Sequence, residues 1–332
     1  MKILSGEQIR AADEYTIKSQ KIRSDELMER AGLALFQWLH AQLNGSAAPF
    51  HIFCGIGNNG GDGLVLARHL LEHGYEIQVY VVNYSEKRSP DFLINLDRLK
   101  ERKVWPQVLS DDSPLPDIPK GEMVVDAIFG TGLNRTPDPW VVKLIGHLNA
   151  SEAFIISIDI SSGLFLDKSY DDKQSIVKAD YVLTFQFPKL VFFLPETGGF
   201  SQNFVILDIG LDETFVSGLE TDYELIQREE ILPFYRFRNK FTHKGTYGHA
   251  LVLGGSYGKI GAVILCAKAC LKAGSGLVTA YTPGCGYVPL QASLPEVMVI
   301  SDQDDSQITD IEIPIQPEVI GLGIGMGTSK ET

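Results

Sequence analysis

The chain has 332 residues, of which 44% are hydrophobic and 21% charged, and carries a formal net charge of -13. Its length exceeds one average domain of about 150 residues and predicts two, each long enough to bury its own core. The negative surplus repels phosphate backbones and argues against nucleic acid as a partner, while a small phosphate ligand held by backbone amides stays open.

Ser5 with Gln8 three residues later reads as a capping box opening a first helix, and a second helix is predicted from Ser24 through Leu39. Short β-rich runs then alternate with helical stretches: PFHIFCGIG, YEIQVYVVN, GEMVVDAIFG, AFIISIDI, DYVLTFQF and NFVILDIG. That alternation predicts βαβ units and a mostly parallel sheet with helices on both faces. Around Gly210 to Glu230 the pattern breaks into an acidic, irregular stretch, and a new alternation begins with GHALVLGGS, a helix through Ala273, and GLVTAYTP. Domains are expected at 1–220 and 225–332, the second ending in PEVIGLGIGMGTSKET as an unfinished α/β unit. The four cysteines show no paired CxxC spacing, and Cys266 and Cys270, four apart on a helix, suit a buried face better than a metal site. Reduced thiols, and no apolar run of roughly 20 residues for a span, predict a soluble, cytoplasmic protein without membrane contact.

Three segments carry chemistry. The first, GIGNNGGDGLVLARHLLEHG from Gly55 to Gly74, joins a strand to an amphipathic helix and gathers Asn58, Asn59 and Asp62 among glycines. Such a turn lets backbone approach a ligand and aims helix N-terminal amides at an anion, although packing alone could also require the glycines. The second, VVDAIFGTGLNRT from Val124 to Thr136, ends a strand on Asp126 and continues into Gly130-Thr131-Gly132, a loop able to wrap a phosphate. The third, SIDISSGL from Ser157 to Leu164, places Asp159 at another strand end before small hydroxyl residues. Three such ends converging on one crevice suggest a nucleotide-like ligand and an acid–base role for at least one aspartate. Asn59, Asp126 and Ser162 are hard oxygen donors suited to a group I or II cation. No Walker pattern supports ATP hydrolysis in this half.

These motifs, GNNGGDG at Gly57–Gly63, VDAIFGTG at Val125–Gly132 and DISSG at Asp159–Gly163, resemble those of the NAD(P)H-hydrate epimerases over roughly residues 1 to 215. Ser161 stands where that family more often has proline. The resemblance implies a Rossmann-like three-layer αβα sandwich that interconverts the R and S hydrates of NADH and NADPH. By matched position it implies that Asn58, Asn59, Gly60, Gly61 and Asp62, with Gly130, Thr131, Gly132, Leu133, Asn134, Arg135 and Thr136, line the hydrated dinucleotide. Asp159 would contact it as the acid–base, and Asn59, Asp126 and Ser162 would hold potassium (K+). A homo-oligomer is expected.

The second half, KGTYGHALVLGGSYGKIGAVILCAKACLKAGSGLVTAYTP, resembles the start of the ADP- or ATP-dependent NAD(P)H-hydrate dehydratases. This implies an incomplete ribokinase-like α/β domain, with Ala262, Gly323 and Gly325 at substrate-contacting positions and ADP or ATP as co-substrate. Leu322 replaces the usual proline, and that family's GTGD segment occurs nowhere after residue 230, so an inactive second half is expected in the chain as given. Two other readings remain: a non-catalytic nucleotide-binding scaffold module, and a second domain of sugar or vitamin kinase type.

Overall fold

The computed structural model describes residues 1–45, 48–166, 173–330 and 332. The chain divides into two compact units, Met1–Ile231 and Leu232–Thr332.

In the first unit, α1 (Gly6–Gln20) opens on the reciprocal Ser5/Gln8 capping box. It is followed by α2 (Ser24–Leu43), β1 (Phe50–Cys54), α3 (Asn58–Glu72), β2 (Ile77–Val82), α4 (Pro90–Glu101), β3 (Gln107–Leu109), β4 (Met123–Ala127), α5 (Pro139–Ala150), β5 (Phe154–Ile158), β6 (Tyr181–Phe185) and β7 (Phe204–Leu207). The seven strands form one parallel sheet in the order β3-β2-β1-β4-β5-β6-β7. Side chains alternate between its faces as the two-residue strand period requires. Phe50, Ile52 and Cys54 join α2, α3 and α4 in one core, whereas Phe53 joins α5 in the other. With both faces covered, central strands such as β1 and β4 are buried throughout and read as continuous apolar runs. The mostly parallel α/β sandwich expected from the alternation is therefore the architecture, with one strand added. β3 is only three residues long at the sheet edge, too short to give a pattern.

The acidic stretch holds two short helices, α6 (Glu213–Gly218) and α7 (Arg228–Ile231). It is stitched to the N-terminus by an antiparallel bridge between Lys2 and Glu224 and by Ile3 N donating to Tyr223 O at 3.0 Å.

The glycine-rich segment is more helical than a strand-to-helix turn. Gly57 is the N-cap, and α3 already runs from Asn58. Glycine costs a helix interior about 1 kcal/mol relative to alanine, and contacts explain why it is kept. A Cβ on Gly60 would lie 1.8 Å from Gly55 O, on Gly61 2.5 Å from Met28 Sδ, and on Gly63 2.6 Å from Ala127 Cβ. These glycines let α3 sit directly on β1, β4 and α2.

The second unit has a parallel sheet of order β10-β9-β8-β11, built from β8 (His249–Gly254), β9 (Leu277–Thr282), β10 (Met298–Ser301) and β11 (Val319–Ile324). Helices α8 (Ile260–Ala273) and α9 (Tyr287–Ser293) pack on one face around Val252, Val263, Ala280 and Leu290. Cys266 and Cys270 are half-buried against this cluster, and all four cysteines of the chain are free thiols. Among the described residues, no helix is long and apolar enough to cross a membrane.

Candidate active site

In the first unit the sheet order reverses between β1 and β4, the point at which open parallel sheets leave a crevice beyond the strand C-termini. A cavity of about 480 Å³ opens there, within the range of small-molecule sites. One wall is the start of α3, with Asn58, Asn59 and Asp62; the next is the β4–α5 loop from Gly130 to Asp138. Asp159, following β5, forms the floor with Phe185, Gln186, Phe187 and Lys189, and α1 closes the rim with Ile9, Arg10 and Asp13. The structure thus brings together Asn58, Asn59, Asp62, Gly130, Thr131, Gly132, Leu133, Asn134, Arg135, Thr136 and Asp159. Gly60 and Gly61, expected to contact the ligand, do not line the cavity, because they are pressed against Gly55 and Met28.

Asp126 and Asp159, the two strand-end acids, have different surroundings. Asp126 is fully buried, the penultimate residue of β4. Its Oδ1 accepts from Ser162 Oγ at 2.5 Å and Ile128 N at 3.2 Å, and its Oδ2 from Ser157 Oγ at 2.7 Å and Ser162 N at 2.9 Å. Burial raises its pKa and these four bonds oppose the rise. The carboxylate therefore ties the β4–α5 loop to the turn after β5. Ser162 Oγ extends the tie by accepting from Phe129 N at 2.8 Å.

Asp159 lies on the cavity wall with φ 65°, a left-handed conformation that few residues other than glycine adopt. Its backbone N donates to Leu183 O at 2.7 Å, and this cross-strand bond helps to hold the turn. Its Oδ1 lies 2.9 Å from Lys189 Nζ and accepts from Phe185 N at 3.2 Å and Thr184 Oγ1 at 3.3 Å. Lys189 is 1% exposed. Its ammonium also donates to Phe185 O and Phe187 O, both at 3.1 Å, so its three protons have three acceptors. Lys189 escaped the sequence reading; the available signal was a lone charge in the apolar run TFQFPKLVFF.

Asp62 is buried on α3, its carboxyl pKa well above the usual carboxylate range through burial and then the charges of Asp159, Asp13 and Asp91. Asp13, also unforeseen, has its pKa raised to about 7, chiefly by burial and next by the negative charge of Asp159, with Lys189 pulling the other way.

The donor set expected for potassium has the oxygen chemistry of a hard cation site, but Asp126 and the Ser162 hydroxyl already spend their acceptor positions on hydrogen bonds within the chain. Asp126 is a buried carboxylate with no cationic side chain in ion-pair range among the described residues, and Asn59 Nδ2 is buried without a hydrogen-bond partner. That orphaned amide end can present oxygen after a flip. Among the described residues no three His, Cys, Asp or Glu side chains gather as for a multidentate metal site.

In the second unit, Ala262 at the start of α8 and Gly325 after β11 meet: a Cβ on Gly325 would lie 3.2 Å from Ala262 Cβ. Gly323 and Gly325 have φ of 107° and 68°, which favour glycine, and Ser256 Oγ donates to Gly325 O at 2.9 Å. These residues therefore share the C-terminal edge of the second sheet.

Residues 250–332 match a family described as NAD(P)H-hydrate dehydratase. A bifunctional NAD(P)H-hydrate repair enzyme of Coxiella burnetii is 33% identical over 321 residues, covering 96% of this chain and 64% of the relative. The chain thus spans under two thirds of that relative's length. An NAD(P)H-hydrate epimerase of Anaerococcus prevotii is 32% identical over 223 residues, 66% of this chain and 100% of the relative. The crystal structure of yeast ynu0 (YNL200c) covers 69% of this chain and 98% of its own with a TM-score of 0.52 and 22% identity, a likeness of fold. Residues 24–191, half of the chain, match the family described as YjeF-related protein N-terminus, and the chain belongs to that family.

Proposed function

We propose that the first unit is an NAD(P)H-hydrate epimerase, with Asp159 as an acid–base group. The observation that carries this reading is the Asp159–Lys189 pair at 2.9 Å on the wall of a nucleotide-sized cavity formed also by Asn58, Asn59 and the Gly130–Thr136 loop. The similarity to the Anaerococcus epimerase along its whole length supports it. The substrate is a nicotinamide ring hydrated at the carbon beside the ring nitrogen. Proton transfer at that hydroxyl opens the ring or expels water, leaving a planar centre that re-forms in either hand, and a carboxylate at the ligand's edge serves both directions.

Asn59, Asp126 and Ser162 are the residues that would hold potassium, which would have to replace part of the hydrogen bonding of Asp126 and Ser162 and when bound would supply positive charge beside the buried carboxyl. Asp126 itself fixes the loop that meets the ligand. Potassium is expected to raise the melting temperature of the wild type and not of Asp126→Asn; equal effects on both remove this assignment.

The second unit is read as the N-terminal part of a ribokinase-like dehydratase domain that uses ADP or ATP, with Ala262, Gly323 and Gly325 toward its substrate. The decisive experiment for the first unit adds the protein to purified R hydrate of NADPH and follows the appearance of S by chromatography. Acceleration over the protein-free rate is expected, and its absence overturns the reading.

A further inference from the structure

Asp13 is a carboxyl that the fold does not use. It sits on α1 at the cavity rim, half-buried, beside Ile9 and Arg10 on one helix face. Among the described residues its carboxyl makes no hydrogen bond and no ion pair, whereas both ends of α1 are tied down. Ser5 and Gln8 cap its start. Thr16 Oγ1 accepts from Asp212 N at 2.9 Å, Ser19 Oγ donates to Asp212 Oδ2 at 2.9 Å, and Gln20 Nε2 donates to Gly210 O at 2.9 Å. Ile9 and Ala12 pack with Phe187, Ile209 and Leu211. The helix is held at both ends and along its apolar side, so Asp13 is presented rigidly to the cavity. Partly burying an unpaired carboxyl opposes folding, and such a cost at a cavity wall points to a use in the cavity. α1 also lies before the residues matched to the YjeF-related family.

We propose that Asp13 is a second acid–base residue of the epimerase reaction, giving a proton to the departing hydroxyl while Asp159 takes one from the water that returns. This rests on the epimerase reading above. In the first step the Asp13 carboxyl protonates the ring hydroxyl, the carbon–oxygen bond breaks with its electron pair on oxygen, and water leaves. The ring nitrogen's lone pair forms a carbon–nitrogen double bond, making the carbon planar. In the second step water adds to the opposite face, the double-bond pair returns to nitrogen, and the water's surplus proton passes to the Asp159 carboxylate. One proton has moved from Asp13 to Asp159, and exchange with solvent restores both. In the opposite direction the roles reverse.

The two carboxyls have the unequal surroundings that such a division requires. Asp159 has the Lys189 ammonium at 2.9 Å; Asp13 has no cationic partner in ion-pair range among the described residues and holds its proton up to about pH 7. The charged groups around Asp13 are Arg10 and Glu14 on its own helix, Asp62 on α3, Arg135 and Asp138 on the β4–α5 loop, Asp159 after β5 and Lys189 after β6. Asp62, another carboxyl on the cavity wall, is buried, and burial followed by the charges of Asp159, Asp13 and Asp91 raises its pKa.

The test compares wild type, Asp13→Asn and Asp13→Glu in R-to-S conversion across pH 5 to 9, with melting curves to verify folding. Asp13→Asn is expected to lower kcat by about 10²-fold or more, with KM nearly unchanged. The limb of the wild-type profile near pH 7 should vanish in Asp13→Asn and return, displaced, in Asp13→Glu. An infrared titration of wild type minus Asp13→Asn should show one carboxylic acid deprotonating near pH 7, a readout independent of turnover. If wild type converts the hydrates and Asp13→Asn keeps its kcat and pH limb, the role of Asp13 is overturned and the epimerase reading stands. If Asp13→Asn changes KM alone, Asp13 binds and does not transfer protons, and the proposal also falls. If wild type converts nothing, the functional reading itself fails.

Discussion

Asp126 and Asp159 occupy equivalent places at the ends of neighbouring strands of one sheet, yet the fold treats them differently. Asp126 is saturated by four hydrogen bonds from its own chain and reaches no part of the cavity wall. Asp159 is bent into the left-handed region, leans on a buried lysine and faces the cavity. A strand-end carboxylate followed by small residues is therefore not by itself a reacting group. What separates the two is whether neighbouring hydroxyls and amides fill its lone pairs or a cation holds one oxygen and the cavity reaches the residue.

The largest expected effect tests the reactive side of this contrast. Asp159→Asn should lower R-to-S turnover by about 10³-fold and also lower the melting temperature, because the Lys189 ammonium, 1% exposed, loses its carboxylate; a folded mutant with wild-type turnover would falsify the assignment of proton transfer to Asp159. Lys189→Met should destabilise by about 3–5 kcal/mol in urea titrations, because it leaves the Asp159 carboxylate without its buried partner. A loss below 1 kcal/mol would mean that the pair is not a stability element. Asp126→Ala should cost about 3 kcal/mol, since two hydroxyls and two amides lose their acceptor inside the core. Turnover should fall with it only through displacement of the Gly130–Thr136 loop, so a variant of unchanged stability would show that Asp126 is not the tie described here. Gly63→Ala should cost about 1–3 kcal/mol by pressing α3 off Ala127, next to Asp126; wild-type stability would show that the helix yields easily.

The smallest effect concerns pH. Asp13 has a folded pKa near 7 against 3.8 ordinarily, so it binds its proton more tightly folded than unfolded. Its favourable contribution is complete below about pH 4 and is lost as pH rises through 7. Asp25 and Glu29, lowered to about 2 by hydrogen bonds with Arg23 and with His69 respectively, act oppositely and lose their contribution as pH falls toward 2. The melting temperature of Asp13→Asn relative to wild type should therefore climb between pH 4 and 7 and level off above, and a flat difference would remove the coupling.

The two β-rich patterns, six runs in the first half and the strands opening the second, were legible because buried parallel strands must be apolar on both faces. β3 and β10 were not, since three or four residues at a sheet edge carry too little periodicity. The cavity loops were legible as glycine-rich strand ends. Their division into packing glycines, such as Gly60 and Gly61, and a true wall, such as Gly130 to Thr136, was not, because both uses place the same residue at the same spacing.

Local sequence determined the helices, the parallel strands and the family to which the chain belongs, because caps, short apolar runs and motif order are properties of consecutive residues. Only the tertiary structure decided that Lys189 reaches Asp159 and that Asp13, almost 150 positions away, comes within its electrostatic reach. Those relations arise from burial and approach across the sheet, where charge interacts through low dielectric and distance along the chain has no meaning.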